Sequence, residues 1–331
     1  MTGLQPVLEI QGRLRLAPDV AYALVSEGFK SLGCTALFRR SPDGHLIQAV
    51  PGTLESRRVP EWIAGPLFLA TLLSTLAIGA LWGSTTESGF DLMAGWPFAL
   101  SLMAILGAHE MGHYLVARRV GIPTTLPFFI PLPMLPFGTL GAAILVKAPP
   151  RDRRALMALG MAGPLAGLTV AVPVLVWGLT MSTVQPIPTD IPVFQEGNSL
   201  LYLGIKFLLF GRVLPSGGED VFIHPVALAG WAGLLVTALN AVPAGQLDGG
   251  HVLYALIGKR AEAVTWGIIA VLLGLSILWQ GWLIWVVLVY VFGRVHAVPL
   301  DDITEPRWHE RFLGVFLLFV AALVFVPIPF S

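Results

Sequence analysis

The sequence predicts an all-α polytopic membrane protein with six to seven transmembrane helices, a re-entrant extended loop and a small N-terminal α/β domain in the cytosol. Hydrophobic residues make up 55% of the 331-residue chain and charged residues only 12%, against about 25% charged in a typical soluble domain. Long apolar runs recur after residue 60, and basic residues cluster at alternate ends of these runs. The 20 basic and 20 acidic residues balance, so the chain lacks the basic excess typical of nucleic-acid binding.

The N-terminal region differs from the rest of the chain in its charge. Residues 1–60 hold 12 of the 40 charged residues. An alternating run, a helical run from Ala17 to a terminal Gly33, and two further apolar runs joined by SPDG predict a βαββ unit. We therefore expect a small domain over residues 1–60, with a structural or regulatory role, and a membrane domain over residues 61–331.

Six apolar runs are candidate membrane spans, because about 20 apolar residues cross a bilayer as a helix. The fifth run is interrupted by WQGW at 279–282, which favours two short spans folded back on each other. The runs cover residues 62–82, 96–116, 155–181, 221–242, 264–292 and 312–329.

Basic residues between the spans predict the orientation, since cytosolic loops are enriched in Lys and Arg. With alternating spans these residues all lie on one side, and acidic residues lie on the other. The basic set includes Arg118, Arg119, Arg151, Arg153, Arg154, Lys259, Arg260, Arg307 and Arg311, and the acidic set includes Asp91, Glu196, Glu219 and Asp220. The N-terminal domain is then cytosolic.

Residues 121–147 match no span. Prolines at 123, 127, 131, 133 and 136 forbid a continuous helix, yet the segment is apolar and both of its ends are cytosolic. Non-helical backbone at membrane depth occurs where protein or a water cavity satisfies it. We predict a re-entrant loop whose part at 137–147 forms a strand. Residues 197–212 are predicted to form an amphipathic helix on the outer face.

The sequence HEMGH at 109–113 carries the chemistry. On a helix, His109 and His113 lie on one face and reach one metal ion together. Zinc suits neutral imidazole nitrogen, and Glu110 is placed to take a proton from water. Ionisable residues inside an apolar span are costly and mark functional sites. The alternative is a buried polar cluster that holds helices together.

Zinc needs a third protein ligand, and Asp248 is the best candidate. It follows the fourth span on the cytosolic side, after a break at Pro243 and Gly245, and Gly249-Gly250 permits tight geometry around it. The alternative for Asp248 is a helix cap. Of the other acidic residues, Glu196 and Glu219 lie on the wrong side, and Asp152 lies in an arginine cluster.

The motif pair HEMGH at 109–113 and NAVPAGQLDGG at 240–250 resembles the signature of the site-2 protease family of intramembrane zinc metalloproteases. MAGPLAGL at 161–168 resembles the GP motif of that family's third core helix. Residues 224–240 are similar to the branch that contains the chloroplast gravitropism-related members and lacks a PDZ domain. The resemblance covers roughly residues 96–258.

This resemblance implies roles for individual residues. His109, His113 and Asp248 are the ligands of one zinc ion, and Glu110 is the catalytic base. Asn240 matches the motif asparagine and is expected to contact the substrate backbone or the oxyanion. We also expect an unwound substrate to pair with the strand at 137–147 by strand addition, which makes Gly141 a substrate-binding candidate.

The predicted function is hydrolysis of peptide bonds within or near transmembrane segments of membrane proteins. The alternative is a metal or proton transporter that uses the same residues. All predicted ligands cluster on the cytosolic side, whereas a transport site must be reachable from both faces. The expected partners are a transmembrane protein substrate and the lipid bilayer. The N-terminus lacks the features of signal and transit peptides, which favours the cell membrane, plasma or inner, as the location.

Overall fold

The computed structural model describes residues 6–53, 59–83, 90–188, 195–293 and 296–330. The predicted boundary at residues 60 and 61 lies within the described residues, just after the stretch 54–58, which is outside them. The elements of the first region are β1 (Leu8–Gly12), α1 (Pro18–Ser31), β2 (Cys34–Ser41) and β3 (Gly44–Pro51). The following elements are α2 (Ala64–Gly83), α3 (Trp96–Arg119), β4 (Phe128–Pro131), β5 (Thr139–Ala143), α4 (Arg153–Thr180), β6 (Thr183–Pro186), α5 (Leu200–Phe210) and β7 (Glu219–Phe222). The last are α6 (Pro225–Asn240), α7 (Asp248–Ile257), α8 (Ala261–Leu275), α9 (Trp282–Gly293) and α10 (Trp308–Val324).

The first four elements follow the predicted βαββ order and form an antiparallel sheet in the order β1-β3-β2. Helix α1 begins with Pro18 in its first turn and Asp19 beside it, both of which favour a helix start. Its buried Tyr22 packs edge-on against Phe38 of β2, with ring centroids 5.1 Å apart. These contacts form a small core separate from that of the membrane helices.

The sheet is held to the helical region by the segment at 300–302. The Phe38 N–H donates to the Leu300 carbonyl at 2.9 Å, and the Asp302 N–H donates back to the Phe38 carbonyl at 3.0 Å. On its other side, the Asp301 N–H donates to the Arg151 carbonyl at 2.7 Å. Buried Arg153, at the start of α4, pairs with Asp302 at 2.8 Å. Through this segment the N-terminal sheet is joined to the start of α4, next to the basic residues at 151–154.

Three helices in the described ranges are long and apolar enough to cross a membrane: Glu61–Gly83, Leu92–Arg119 and Arg153–Thr180. They correspond to the first three predicted spans. The helices that correspond to the later runs have 16, 15, 12 and 17 residues, fewer than the roughly 20 that span a bilayer. The break predicted at 279–282 is confirmed, because α8 and α9 are separate helices. They fold back on each other, with the rings of Trp266 and Tyr290 6.1 Å apart.

Residues 121–147 form a β-hairpin, β4 paired antiparallel with β5, which runs along the whole of α2. Lys147 pairs with Glu61 at 2.9 Å, next to the start of α2. Ser74, halfway along, donates from Oγ to the Gly138 carbonyl at 2.6 Å, and Trp82, near the end, donates from Nε1 to the Pro136 carbonyl at 3.1 Å. The predicted strand is present in part, over Thr139–Ala143, whereas β4 was not predicted.

Helices α3, α4 and α6 form the centre of the molecule. Helix α4 continues through Pro164 and Pro173, although proline in a helix interior removes a backbone hydrogen bond. Small residues let these helices approach closely: a Cβ on Gly178 would lie 2.1 Å from the Ala227 nitrogen. This packing brings the face of α3 that carries HEMGH against α4 and the start of α7.

Candidate metal centre

The structure brings His109, His113 and Asp248 together. Nε2 of His109 and Nε2 of His113 lie 3.2 Å apart, and each lies 3.2 Å from Oδ2 of Asp248. Ligand atoms about 2.0 Å from a tetrahedral zinc ion lie about 3.3 Å from one another. The donor set and its spacing thus fit one zinc ion. Within the described ranges, this is the single group of three or more His, Cys, Asp or Glu residues that could share an ion.

Helix α3 positions the two histidines because residues i and i+4 lie on one face. Both side chains are buried. Nδ1 of His113 lies 2.9 Å from the Leu159 carbonyl of α4. Because a carbonyl only accepts, Nδ1 carries the proton and Nε2 presents its lone pair to the site.

Asp248 is the first residue of α7, and Leu247 occupies the position before it with no side-chain capping bond. Its Oδ2 lies 3.2 Å from Nε2 of both histidines, so the carboxylate faces the metal-binding face of α3. The chain turns tightly here. A Cβ on Gly249 would lie 2.0 Å from the Ala241 carbonyl oxygen, and one on Gly250 would lie 2.4 Å from that of Gly245. Only glycine fits both positions, as the sequence suggested.

Glu110 lies beside the metal-binding face and is buried. The backbone N–H of Ile144, just beyond β5, lies near its carboxylate. The neighbouring Leu145 N–H donates to Thr125 Oγ1 at 3.0 Å, and the Lys147 N–H donates to the Pro123 carbonyl at 2.8 Å. Successive peptide groups of a strand point to opposite edges. The unpaired edge of β5, on the side opposite β4, therefore faces Glu110.

Glycines of α4 form the wall of the site opposite α3. A Cβ on Gly163 would lie 2.0 Å from His113 Nε2, and one on Gly167 would lie 3.2 Å from His109 Nδ1. A Cβ on Gly160 would lie 2.8 Å from the Asp248 carbonyl oxygen. No role at the metal site was predicted for these glycines from the sequence. Their spacing of three and four residues on one helix face was the signal that could have indicated it.

The two predicted substrate-binding residues occupy different places. Asn240 is the last residue of α6, at the start of the turn that leads to Asp248. Gly141 lies in β5 with φ of 110°, and its N–H is bonded to Thr139 Oγ1 at 2.9 Å. A Cβ on Gly141 would meet no atom within 4 Å. Both remain predictions.

Apolar helices long enough to cross a membrane, around an HExxH helix with a remote aspartate, are the pattern of membrane-associated metallopeptidases. The sequence profile of Peptidase family M50 matches residues 97–279, which contain all four residues of the site. The chain belongs to Peptidase family M50.

Several similar proteins are named as probable zinc metalloproteases. The chain is 36% identical to "Probable zinc metalloprotease EGY2, chloroplastic" of Arabidopsis thaliana, over 84% of this chain and 51% of that protein. It is 35% identical to the EGY2 protein of Oryza sativa subsp. indica, over 83% and 52%. It is 33% identical to "Probable zinc metalloprotease EGY1, chloroplastic" of Arabidopsis thaliana, over 71% and 43%. The chain thus spans about half the length of these relatives. No solved structure matches it.

Proposed function

We propose that this chain is an intramembrane zinc metalloprotease that hydrolyses peptide bonds within or near transmembrane segments of membrane proteins. One observation carries the proposal: Nε2 of His109, Nε2 of His113 and Oδ2 of Asp248 lie 3.2 Å from one another. The buried Glu110 lies beside them on α3 and faces the edge of a strand. Membership of the peptidase family and the zinc metalloprotease names of the relatives support it.

The residues of the site have separate roles. His109, His113 and Asp248 hold the zinc ion, which when bound polarises a carbonyl and lowers the pKa of water. Glu110 takes the proton from the attacking water and passes it to the leaving amine. Asn240 contributes a hydrogen bond to the substrate backbone or to the developing oxyanion.

The substrate reaches Glu110 as an extended strand beside β5. A helical segment hides its carbonyls in its own hydrogen bonds, so it must unwind before hydrolysis. The Ile144 N–H already faces Glu110, and by alternation the N–H of Ala142 is expected at the same edge. An unwound substrate would pair there by strand addition, next to Gly141, whose missing side chain leaves space.

The topology that accompanies this function has six to seven spans, with the hairpin as a re-entrant element. The run of the hairpin along all of α2 supports the re-entrant assignment. We propose a multi-pass protein of the cell membrane, with residues 1–60 as a cytosolic α/β domain. A transmembrane protein substrate and the bilayer are its partners. The transporter alternative is not favoured, because the described ranges hold no second group of three metal-ligating side chains that could continue a path across the membrane.

The test compares the wild type with Glu110→Gln in detergent. Zinc content is measured beside cleavage of a model transmembrane substrate. We expect one zinc per chain in both proteins and a loss of cleavage in the variant of at least about 100-fold, the usual contribution of a general base. Glu27→Gln, an exposed change on α1, is the matched control. Zinc binding without cleavage in the wild type, together with metal flux in liposomes, would overturn the proposal.

A further inference from the structure

A cavity of about 220 Å³ lies at the Trp82 end of α2, away from the metal centre. We call it the outer cavity. Glu196 and Asp220 line it, and its other walls are mostly apolar, including Trp82, Ile187, Phe222 and Leu228. Two carboxylates in an apolar wall are costly unless a cation compensates them. What the cavity binds depends on whether that cation comes from the protein itself or from a ligand.

Among the described residues, one buried cation lies beside these carboxylates. Lys206 of α5 is completely buried, and its Nζ lies 3.6 Å from Oδ1 of Asp220, longer than a direct hydrogen bond. Glu196 accepts a hydrogen bond from Tyr202 at 2.8 Å, and a hydroxyl brings no charge. When Glu196 is ionised, the described residues of the cluster carry one negative charge in excess, and a cation in the cavity would stabilise that form. Burial raises the pKa of Glu196 and lowers that of Lys206, as expected for incompletely compensated charges.

The chemistry of the cavity favours an aliphatic cation over a metal ion. Within the described residues, Glu196 and Asp220 belong to no group of three metal-ligating side chains, so a metal ion would lack protein ligands here. A lysine or arginine side chain can lay its alkyl stem on apolar walls and direct its charged head to carboxylates. The Trp82 ring in the wall suits the same group.

The cavity adjoins the hairpin turn. Trp82 donates to the Pro136 carbonyl at 3.1 Å. Glu196 forms a β-bridge with Phe330, whose ring lies 6.0 Å from that of Phe137. From this turn β5 leads to Ile144 at Glu110. The five residue steps from Thr139 to Ile144 span about 17 Å at 3.3 Å per residue.

We propose that the outer cavity is a substrate subsite for one lysine or arginine side chain, located about five to eight residues from the hydrolysed bond, toward the Trp82 end. The inference rests on the proposed protease function and on strand addition along β5. It identifies a substrate class: membrane segments that carry a basic residue on the flank opposite the basic loops of this chain.

The test measures binding separately from hydrolysis. Fluorescent model transmembrane substrates carry a single lysine, or glutamine at the same place, at each position four to ten residues from the bond that the wild type cuts. Affinity is measured with the full-length, zinc-loaded Glu110→Gln variant in detergent. We expect lysine to strengthen binding about tenfold within a window of two or three positions and to have no effect outside it.

Substitutions in the outer cavity test whether the tighter binding of the lysine substrate arises there. Adding Glu196→Gln or Asp220→Asn should reduce the lysine gain below about twofold and leave affinity for the glutamine substrate unchanged. Glu219→Gln is the matched control, because Glu219 pairs with Arg212 at 2.7 Å outside the lining. No preferred lysine position, or a gain that survives in both cavity variants, would overturn the proposal.

A second measurement serves if a cavity variant also loses affinity for the glutamine substrate. Ile187→Cys in a Cys34→Ser background is tested for disulfide cross-linking to a substrate cysteine placed in the window. Cross-linking confined to the window supports the subsite, and its absence there overturns it. If the wild type cuts no substrate, that result counts against the protease function and not against the subsite. The position of the lysine is then counted from the ends of the transmembrane segment.

Discussion

Gly163 of α4 lies directly against the imidazole of His113, so that a single added carbon would collide with a metal-binding nitrogen. A Cβ at position 163 would lie 2.0 Å from Nε2 and 2.4 Å from Cδ2 of His113. No real pair of atoms approaches so closely without bonding, and the ring cannot retreat, because Nδ1 is held by the Leu159 carbonyl of the same helix. The glycine therefore defines the position of the ligand.

Gly163→Ala should displace His113 and weaken zinc binding by at least about 10- to 100-fold, the range seen when the support of a metal ligand is lost. Cleavage should fall with it. Zinc content after dialysis and the zinc affinity of the refilled protein are the measurements. Gly267→Ala is the control, because a Cβ there meets no atom within 4 Å. Full zinc content in Gly163→Ala would contradict this account of the site.

Ala142→Pro should reduce cleavage about tenfold or more and leave the zinc content unchanged. Proline has no N–H, so it removes a donor from the edge of the hairpin that faces Glu110. The comparison variant is Ala142→Ser, which keeps the backbone donor and should cleave normally. Equal activity in the two variants would count against pairing of the substrate with β5.

Zinc removal should abolish cleavage and lower the melting temperature in detergent. An ion that binds only the folded state stabilises it, by about 2.7 kcal/mol when its concentration is 100 times the dissociation constant. Thermal unfolding with a chelator, and again with added zinc, gives the shift. His113→Ala should show no zinc-dependent shift, and a shift of wild-type size in this variant would place the ion elsewhere.

Arg153→Met should loosen the N-terminal sheet, because it leaves the buried carboxylate of Asp302 without its partner. Loss of one member of a buried ion pair costs about 3–5 kcal/mol. The rate of limited proteolysis within residues 1–53 and the melting temperature report the change. The double variant Arg153→Met/Asp302→Leu removes both charges and should recover much of the stability. Unchanged proteolysis in the single variant would show that the pair does not anchor the sheet.

Local pattern was sufficient for much of the fold. The βαββ order, the first three long apolar helices, the break at 279–282 and the absence of a helix at 121–147 all follow from short-range features such as apolar period, glycine and proline. Strand β4 was missed because it contains Pro131 and pairs across a turn, so its partner and not its own composition makes it a strand. The fourth run, 221–242, is longer than helix α6 because β7 occupies the start of the run and a turn occupies its end.

The helix at 200–210 illustrates the same limit. The sequence predicts an amphipathic helix over residues 197–212 on the outer face, but it gives no indication that Lys206 is completely buried beside Asp220. A lysine is seldom buried without a carboxylate partner, and that partner comes from β7. No pattern within the helix could indicate it.

The sequence by itself determined the chemistry of this protein: an HExxH pair on one helix face, a glutamate beside it, and an aspartate in a glycine-rich turn. Only the tertiary structure decided that Asp248 lies 3.2 Å from both histidines, that α4 glycines form the opposite wall, and that a hairpin edge faces Glu110. Helical periodicity fixes contacts four residues apart. Contacts across 135 residues, as between His113 and Asp248, depend on how helices pack, and packing is a property of the whole chain.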